Sequence, residues 1–247
     1  MINNKTVCDL YNEGMSLRGI GDIFGVSYKP ILTILKKHNI NRRQSKYSLD
    51  DNYFKNVDTS NKAYILGLLY ADGNLTKNTV KITLHEKDKH ILDSINSTIS
   101  SNRVLYKYKQ YYTLTIVNKI MSNDLRSYGL IENKTFKVSY PYIDHKFTFD
   151  FIRGVFDGDG YFHVNKKRRR TGVLGIVGYK PFLQQIQGKL LLADIESKIY
   201  SNSSRHKDIA ELRIGKVKDI ERMFDLMYPA ELCFNRKYGN IFEFISR

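Results

Sequence analysis

Residues 65–73 read ILGLLYADG, and residues 152–160 read IRGVFDGDG. Each is an apolar run with the pattern of a buried helix, a glycine near its middle (Gly67, Gly154) and Asp-Gly at its end (Asp72-Gly73, Asp159-Gly160). A mid-helix glycine has no side chain, so two such helices can approach closely there. A glycine directly after the acid stands where the chain can turn left-handed and stop the helix. The acids are the odd feature. A helix C-terminus already carries about half a negative charge, so two helices that both end on a carboxylate make an anionic spot. In a chain of formal net charge +15, the natural resolution is a divalent cation held by oxygen ligands, which suits Mg2+.

The surroundings repeat as well. After the first stretch comes TVKITLH (79–85), where Val80, Ile82 and Leu84 alternate with Lys81, Thr83 and His85, predicting a half-buried strand. A helix in DKHILDSINSTI, strands RVLYKYK and YYTLTIV and a helix in KIMSNDLRSYG follow. The second stretch is followed by strands YFHVN and GVLGIVG, a helix in PFLQQIQGKLLL, strands KIYSN and AELRIG, and a helix in VKDIERMFDLMY. The two acids lie 87 positions apart, about one such unit. The expected fold is α+β: two pseudo-symmetric α-β-β-α-β-β-α repeats, 60–145 and 146–247, forming antiparallel β-saddles.

With that repeat around them, ILGLLYADG and IRGVFDGDG resemble the two motif copies of single-chain LAGLIDADG homing endonucleases, and the resemblance covers nearly all of residues 60–247. Tyr70 departs from the motif where Asp is common, and Leu66 and Arg153 where Ala is. The resemblance implies Mg2+-dependent DNA cleavage, with Mn2+ able to substitute, in which Asp72 and Asp159 each serve one strand. Ala71 and Gly158, just before the acids, would share the metal site. It also implies a lysine beyond the third helix of each repeat that polarises water or phosphate. Lys134 in IENKTFK and Lys237 in FNRKYG occupy comparable places, at unequal separations of 62 and 78 positions from their acids. Asp157 is expected to be structural. An inactive scaffold with two Asp-Gly turns is the plainer alternative, and retention of both acids favours activity.

Opposite the apolar set, each strand should show an outward face. In the first repeat that face takes Lys81, Thr83, His85, Lys107, Lys109, Tyr111, Thr113 and Thr115; in the second, Tyr161, His163, Asn165, Tyr200, Asn202, Glu211 and Arg213. Such side chains contact base edges and phosphates when a ribbon lies in the major groove. The run NKKRRRTG, with Lys167, Arg168 and Arg169 at its centre, reads as a hairpin tip reaching for the backbone. The two faces are unlike, so an asymmetric duplex site is expected.

Residues 1–46 read as a separate small domain, helical in period over 5–38 with two interruptions: Val7, Leu10 and Tyr11 share one face, Leu17, Ile20 and Ile23/Phe24 a second, and Ile31, Ile34 and Leu35 a third. Ser16 and Ser27 stand at N-cap positions, Gly25 in a tight turn, and Pro30 in the first turn of the third helix. This layout resembles the helix-turn-helix of bacterial resolvase-like and phage DNA-binding proteins. Tyr28, Lys29 and Thr33 would then meet base edges, and Lys36 and Lys37 phosphates. A small structural three-helix cap is the alternative. Residues 47–59 read as a linker, preceded by basic residues Arg42, Arg43 and Lys46 that could follow a groove.

Composition agrees. Forty Lys and Arg against 25 Asp and Glu favour a polyanionic partner, and 42% hydrophobic residues favour a folded chain. No apolar run is long enough to span a membrane. Cys8 and Cys233 lack a CxxC partner and read as thiols of a reducing compartment, so a cytoplasmic location in a bacterium or phage-infected host is expected. No GxxxxGK[ST], HExxH or zinc pattern is present, and the histidines have no metal-ligand spacing. The expectation is a monomeric, site-specific double-strand DNA endonuclease. A non-cleaving DNA-binding regulator or an intron-RNA maturase on the same scaffold is the alternative.

Overall fold

The computed structural model describes residues 2–42, 47–165, 171–201, 207–228 and 232–246. The chain divides between Lys46 and Tyr47 into two units. The first holds α1 (Asn4–Asn12), α2 (Leu17–Ile23) and α3 (Tyr28–Lys37). Val7, Tyr11, Ile20, Ile31 and Leu35 form its core, while Ile23 is exposed. Asn3 caps α1 by accepting from Lys5 and Thr6 N–H, and Ser16 caps α2 by accepting from Gly19 N–H at 3.0 Å. Ser27 sits at the N-cap of α3 but makes no side-chain cap bond there. Gly25 turns at φ +65°, as the tight turn before α3 requires.

The second unit carries the repeat. Its first half runs α4 (Ser60–Asp72), β1 (Gly73–Thr76), β2 (Thr79–His85), α5 (Lys89–Thr98), β3 (Tyr106–Tyr108), β4 (Tyr111–Val117) and α6 (Lys119–Ser127). The second half runs α7 (Thr148–Asp159), β5 (Gly160–Val164), β6 (Gly172–Tyr179), α8 (Lys180–Leu192), β7 (Lys198–Ser201), β8 (Ile209–Ile214) and α9 (Val217–Met227), then α10 (Asn235–Ile245). The sheets are antiparallel, in order β1-β2-β4-β3 and β5-β6-β8-β7. Their registers correspond residue for residue: Gly73 pairs Ile82 and Ile82 pairs Leu114, just as Gly160 pairs Ile176 and Ile176 pairs Leu212.

Three local expectations are revised. The strand expected over RVLYKYK shortens to β3, and Tyr106 pairs Thr113 while Tyr108 pairs Tyr111. Paired residues point to the same side, so Tyr106 and Tyr108 join the outward face. Lys107 pairs Tyr112 instead and lies over its ring at 5.2 Å, on the opposite side from that face. Residues 47–59 are no plain linker. Tyr53, Phe54 and Val57 are buried in the main core, and Tyr128 Oη accepts from Val57 N–H at 3.0 Å. Helix α10 was absent from the expected elements because NRKYGNIFEFI carries glycine and asparagines, which are weak helix formers. Burial of Ile241 and Phe244 holds it.

Helices α4 and α7 are buried all round, from Ala63 to Tyr70 and from Phe151 to Asp157. Such a helix needs partners on every side, and each takes the other as one of them. A Cβ built on Gly67 would overlap the Phe151 carbonyl, and one on Gly154 would overlap the Tyr64 carbonyl. The glycines are therefore the places where the two backbones touch, as expected. At the start of the pair, Ser60 Oγ donates to Asp150 at 2.6 Å, and Arg153 reaches the same carboxylate at 2.7 Å.

Alanine at Gly67 or Gly154 must push backbone against backbone, a strain of about 3 kcal/mol or more. Thermal unfolding of either variant should fall by roughly 6–12 °C for a unit of this size. Gly188 lies in α8 with open space around it, so Gly188→Ala should instead stabilise by roughly 0.5–1 kcal/mol. Equal melting temperatures for all three variants would rule out the close approach.

Candidate active site

Each acid is the last residue of its helix, and the first strand of its sheet starts at the next residue. Asp72 and Asp159 thus stand where the two sheets depart from the paired helices. The glycines that follow do not turn left-handed, contrary to expectation: Gly73 has φ −75°, ψ 147° and Gly160 φ −91°, ψ 165°, both extended. They are glycines for room. A Cβ on Gly73 would overlap the Leu69 carbonyl, and one on Gly160 the Phe156 carbonyl and ring. Gly158 and Ala71 meet across the seam, and a Cβ on Gly158 would lie 3.1 Å from Asp72 Oδ2. The residues before each acid therefore set how closely the acids converge.

Both expected lysines arrive, and they do something the sequence did not suggest. Lys134 opens a 3-10 turn (Lys134–Phe136) and donates to the carbonyls of Ala71 at 2.8 Å and Gly73 at 2.6 Å. Lys237, in the first turn of α10, donates to those of Phe156 at 2.7 Å, Asp157 at 2.6 Å and Gly160 at 2.5 Å. Each ammonium caps the C-terminal end of the helix that bears its repeat's acid. Orphan carbonyls and the negative helix end are satisfied together. The unequal sequence separations come from the different lengths of chain before the cap, not from different places in the fold. Beside Lys237, Arg236 forms a two-pronged pair with buried Asp88 of the first repeat, at 3.0–3.2 Å.

Charges of both signs meet in the cluster. Crowding by the protein raises Asp72, and it raises Asp159 to about 6 with Asp72 as the next contributor. Both residues keep an exposed edge, so the walls around them strip away only part of their water, and that loss is the main cause of both shifts. Burial lowers Lys134, and lowers Lys237 to about 8 against the pull of the nearby acids. Asp157 is fully buried, pushed up to about 6 by burial, and accepts from Tyr64 Oη at 2.9 Å and Phe234 N–H at 2.8 Å. It ties α7 to α4 and to the entry of α10, the structural part expected of it.

The donor set fits a hard cation in a limited way. Two carboxylates converge, and among the described residues no group of three or more His, Cys, Asp or Glu side chains could hold a metal. The Ala71 carbonyl already accepts from Lys134. A cation here would take its remaining ligands from water and a substrate phosphate, as Mg2+ readily does. Beside Asp159 and Lys134 opens a cavity of about 360 Å3, walled by Tyr70, Val138, Val155, Tyr179 and Phe182.

The outward sheet faces hold Lys81, Thr83, His85, Thr113 and Thr115 in the first repeat and Tyr161, His163 and Arg213 in the second. Thr83 and Thr113 share a hydroxyl bond of 2.8 Å, and Lys109 stands in the β3–β4 turn at φ +52°. Asn165 follows β5 and donates its N–H to the Thr171 carbonyl. Tyr106 and Tyr108, exposed on the same face, are additions; the turn signal at Lys109-Gln110 fixes their register. In the first unit, Lys29, Thr33 and Lys36 make one exposed stripe along α3 with Tyr28 at its start. Thr33 Oγ1 donates to the Lys29 carbonyl at 3.1 Å. Tyr28, Arg18 and Arg42 line a surface hollow of about 500 Å3. Arg43, Lys46, Lys167, Arg168, Arg169 and Asn202 lie outside the described residues.

Residues 146–227, from just before α7 through α9, match the LAGLIDADG-like domain family. This stretch is a LAGLIDADG-like domain. The chain also shares its fold with solved LAGLIDADG proteins. Meganuclease I-SmaMI bound to uncleavable DNA superposes with a TM-score of 0.58 at 12% identity, over 77% of this chain and 89% of that one. The LAGLIDADG homing endonuclease I-LtrWI bound to target DNA gives 0.55 at 14% identity, over 78% and 89%. Among curated proteins, the ribonucleoside-diphosphate reductase NrdEB subunits alpha of Bacillus subtilis (strain 168) and Bacillus phage SPbeta are each 25% identical over 175 residues. That alignment takes in 60% of this chain, which spans only 16% of the length of those relatives. Helix α7 lies within the matched stretch and α4, its counterpart in the first repeat, faces it in the same chain.

If the lysines cap α4 and α7, Lys237→Met leaves three carbonyls without their charged donor and should cost on the order of 3 kcal/mol. Lys134→Met, which frees two carbonyls at a less buried place, should cost less. Urea unfolding at pH 7 measures both. Wild-type stability in Lys237→Met would show that the capping bonds contribute nothing.

Proposed function

We propose that this chain is a single-polypeptide, site-specific endonuclease that hydrolyses both strands of duplex DNA with a divalent cation. The observation that carries the reading is the pair of carboxylates, Asp72 and Asp159, ending adjoining helices at the root of two antiparallel sheets. One acid per repeat supplies one cut per strand, and the sheets supply a face for each half of the site. The similar proteins bound to DNA favour the same ligand here.

Charge supports the cation. Two carboxylates and two helix ends amount to about three negative charges, against two ammonium groups. The remaining charge of about −1, joined by a substrate phosphate, matches one divalent ion. Asp72 and Asp159 would hold it, and Mg2+, with Mn2+ as a substitute, would supply an activated water and stabilise the leaving oxygen. Lys134 and Lys237 hold the helix ends, and so the two acids, in place. The basic stripe of α3, with Arg42, would extend the footprint on DNA as a helix-turn-helix. Where the chain has been described, no helix is long and apolar enough to cross a membrane.

Incubating the protein and Asp159→Asn with a randomised plasmid library, in Mg2+ and separately in Ca2+, tests the reading. Sequencing of new ends should show discrete double-strand breaks in Mg2+ that the variant converts to nicks or loses. Selective retention of plasmids without cutting in either metal would make the protein a regulator on a nuclease scaffold. The acids also set a pH signature. Asp159 must lose a proton near pH 6 to take a cation, so metal affinity should rise as pH rises through 6. In calorimetry, saturating Mg2+ should stabilise the fold at pH 7.5, by about 2.7 kcal/mol at a hundredfold excess over Kd, and hardly at pH 5. Stabilisation equal at both pH values, or unchanged in Asp159→Asn, would place the metal elsewhere.

A further inference from the structure

The outward faces of the two sheets differ at one place that basicity does not explain. On β8, Glu211 and Arg213 stand two residues apart on the same side, and Arg213 Nη2 donates to Glu211 Oε2 at 2.6 Å. Tyr161, from β5 at the far side of the sheet, donates its hydroxyl to the other Glu211 oxygen. It can reach because Gly175 lies between them: in the register Tyr161–Gly175–Arg213–Lys198 it is the position without a side chain, and a Cβ there would overlap the Tyr161 ring. The Arg213 guanidinium also lies over the Tyr200 ring at 4.8 Å. Carboxylate and ring thus fix the guanidinium, and the hydroxyl fixes the carboxylate.

In the first sheet the corresponding places hold Asn74, Lys81, Thr115 and Thr113. There is no carboxylate among them, and Thr113 bonds Thr83 instead. A glutamate on a face turned to DNA repels phosphate, and an exposed ion pair contributes little to stability. Neither phosphate binding nor folding accounts for Glu211. Orientation does. Arg213 is 44% exposed while Glu211 is 17% exposed, so the pair presents the guanidinium and withholds the acid. A planar fork held still is suited to the paired acceptors O6 and N7 of guanine in the major groove.

We propose that Arg213 reads one guanine in the half-site under the second sheet, with Glu211, Tyr161 and Tyr200 as its positioning residues. The inference rests on the duplex-DNA reading above and is independent of cleavage. Held this way, Arg213 loses little freedom on binding, and Glu211 disfavours the competing use of the same side chain as a phosphate clamp.

Selection from a randomised duplex library by the full chain in Ca2+, with sequencing of the bound pool, tests it. Wild type should require guanine at one position of one half-site, with a preference of roughly 10- to 100-fold over other bases. Arg213→Ala should erase that preference and leave the other positions unchanged. Tyr161→Phe, which keeps the ring over Gly175, should weaken it partially at the same position. Glu211→Gln is the decisive variant. Releasing Arg213 to the backbone should lower the guanine preference while raising affinity for all duplexes at low salt, and steepen the salt dependence by up to about 0.9 per decade. A purely structural Glu211 would not split the two readouts in opposite directions. Uniform loss of affinity in Arg213→Ala, or an unchanged profile in Glu211→Gln, overturns the assignment. Absence of any selected duplex with wild type overturns the duplex reading along with it.

Discussion

Contact between backbones at Gly67 and Gly154 is the constraint from which the site follows. Helices α4 and α7 are buried on every side, so their spacing is set by what lies between them, and at the glycines nothing does. Close spacing brings Ala71 against Gly158 and thereby the two acids to one seam. A side chain at either glycine would separate the helix ends as well as their middles. The convergence of the two acids is in this sense a property of the helix pair, and the acids are carried to it.

Bringing two helix C-termini together concentrates negative charge, and the chain answers before any cation arrives. Lys134 and Lys237 come from the segment after the third helix of each repeat and bond to the end carbonyls of α4 and α7. Both ammoniums are held below their ordinary range by burial, and both acids above theirs. The four groups moderate one another. Such a cluster can stand without metal at neutral pH and still retain a net negative charge to attract one.

Much of this was legible in the sequence because the determinants are local. Asp-Gly after an apolar run, its recurrence after 87 positions and the alternation of TVKITLH needed no tertiary knowledge. What failed to show were features decided between elements. That Gly73 must be glycine follows from Leu69 occupying the space a Cβ would need, and not from a left-handed turn. The side taken by Lys107 depends on β3 pairing Tyr106 with Thr113. The burial of Tyr53, Phe54 and Val57 depends on the core they meet, since the polar run around them looks like a linker. The capping lysines were found as positions, but their partners are main-chain carbonyls, which leave no trace in residue types.

Duplication then explains where the halves are free to differ. Residues that fix the seam correspond pair by pair: Gly67 with Gly154, Asp72 with Asp159, Lys134 with Lys237. Away from it the correspondence lapses. Buried Asp88 takes Arg236 on one side of the acids, while the other side opens as the cavity beside Lys134 and Asp159. On the outward faces, Thr83 and Thr113 stand where the second sheet has Val177 and Glu211. On the proposed function, the shared positions would meet groups that are alike in every duplex, its phosphates and the cations they bring. The divergent positions would meet what distinguishes one sequence from another. On the function proposed above, a two-fold scaffold with an asymmetric surface would let a single chain cut two equivalent strands at one non-palindromic place.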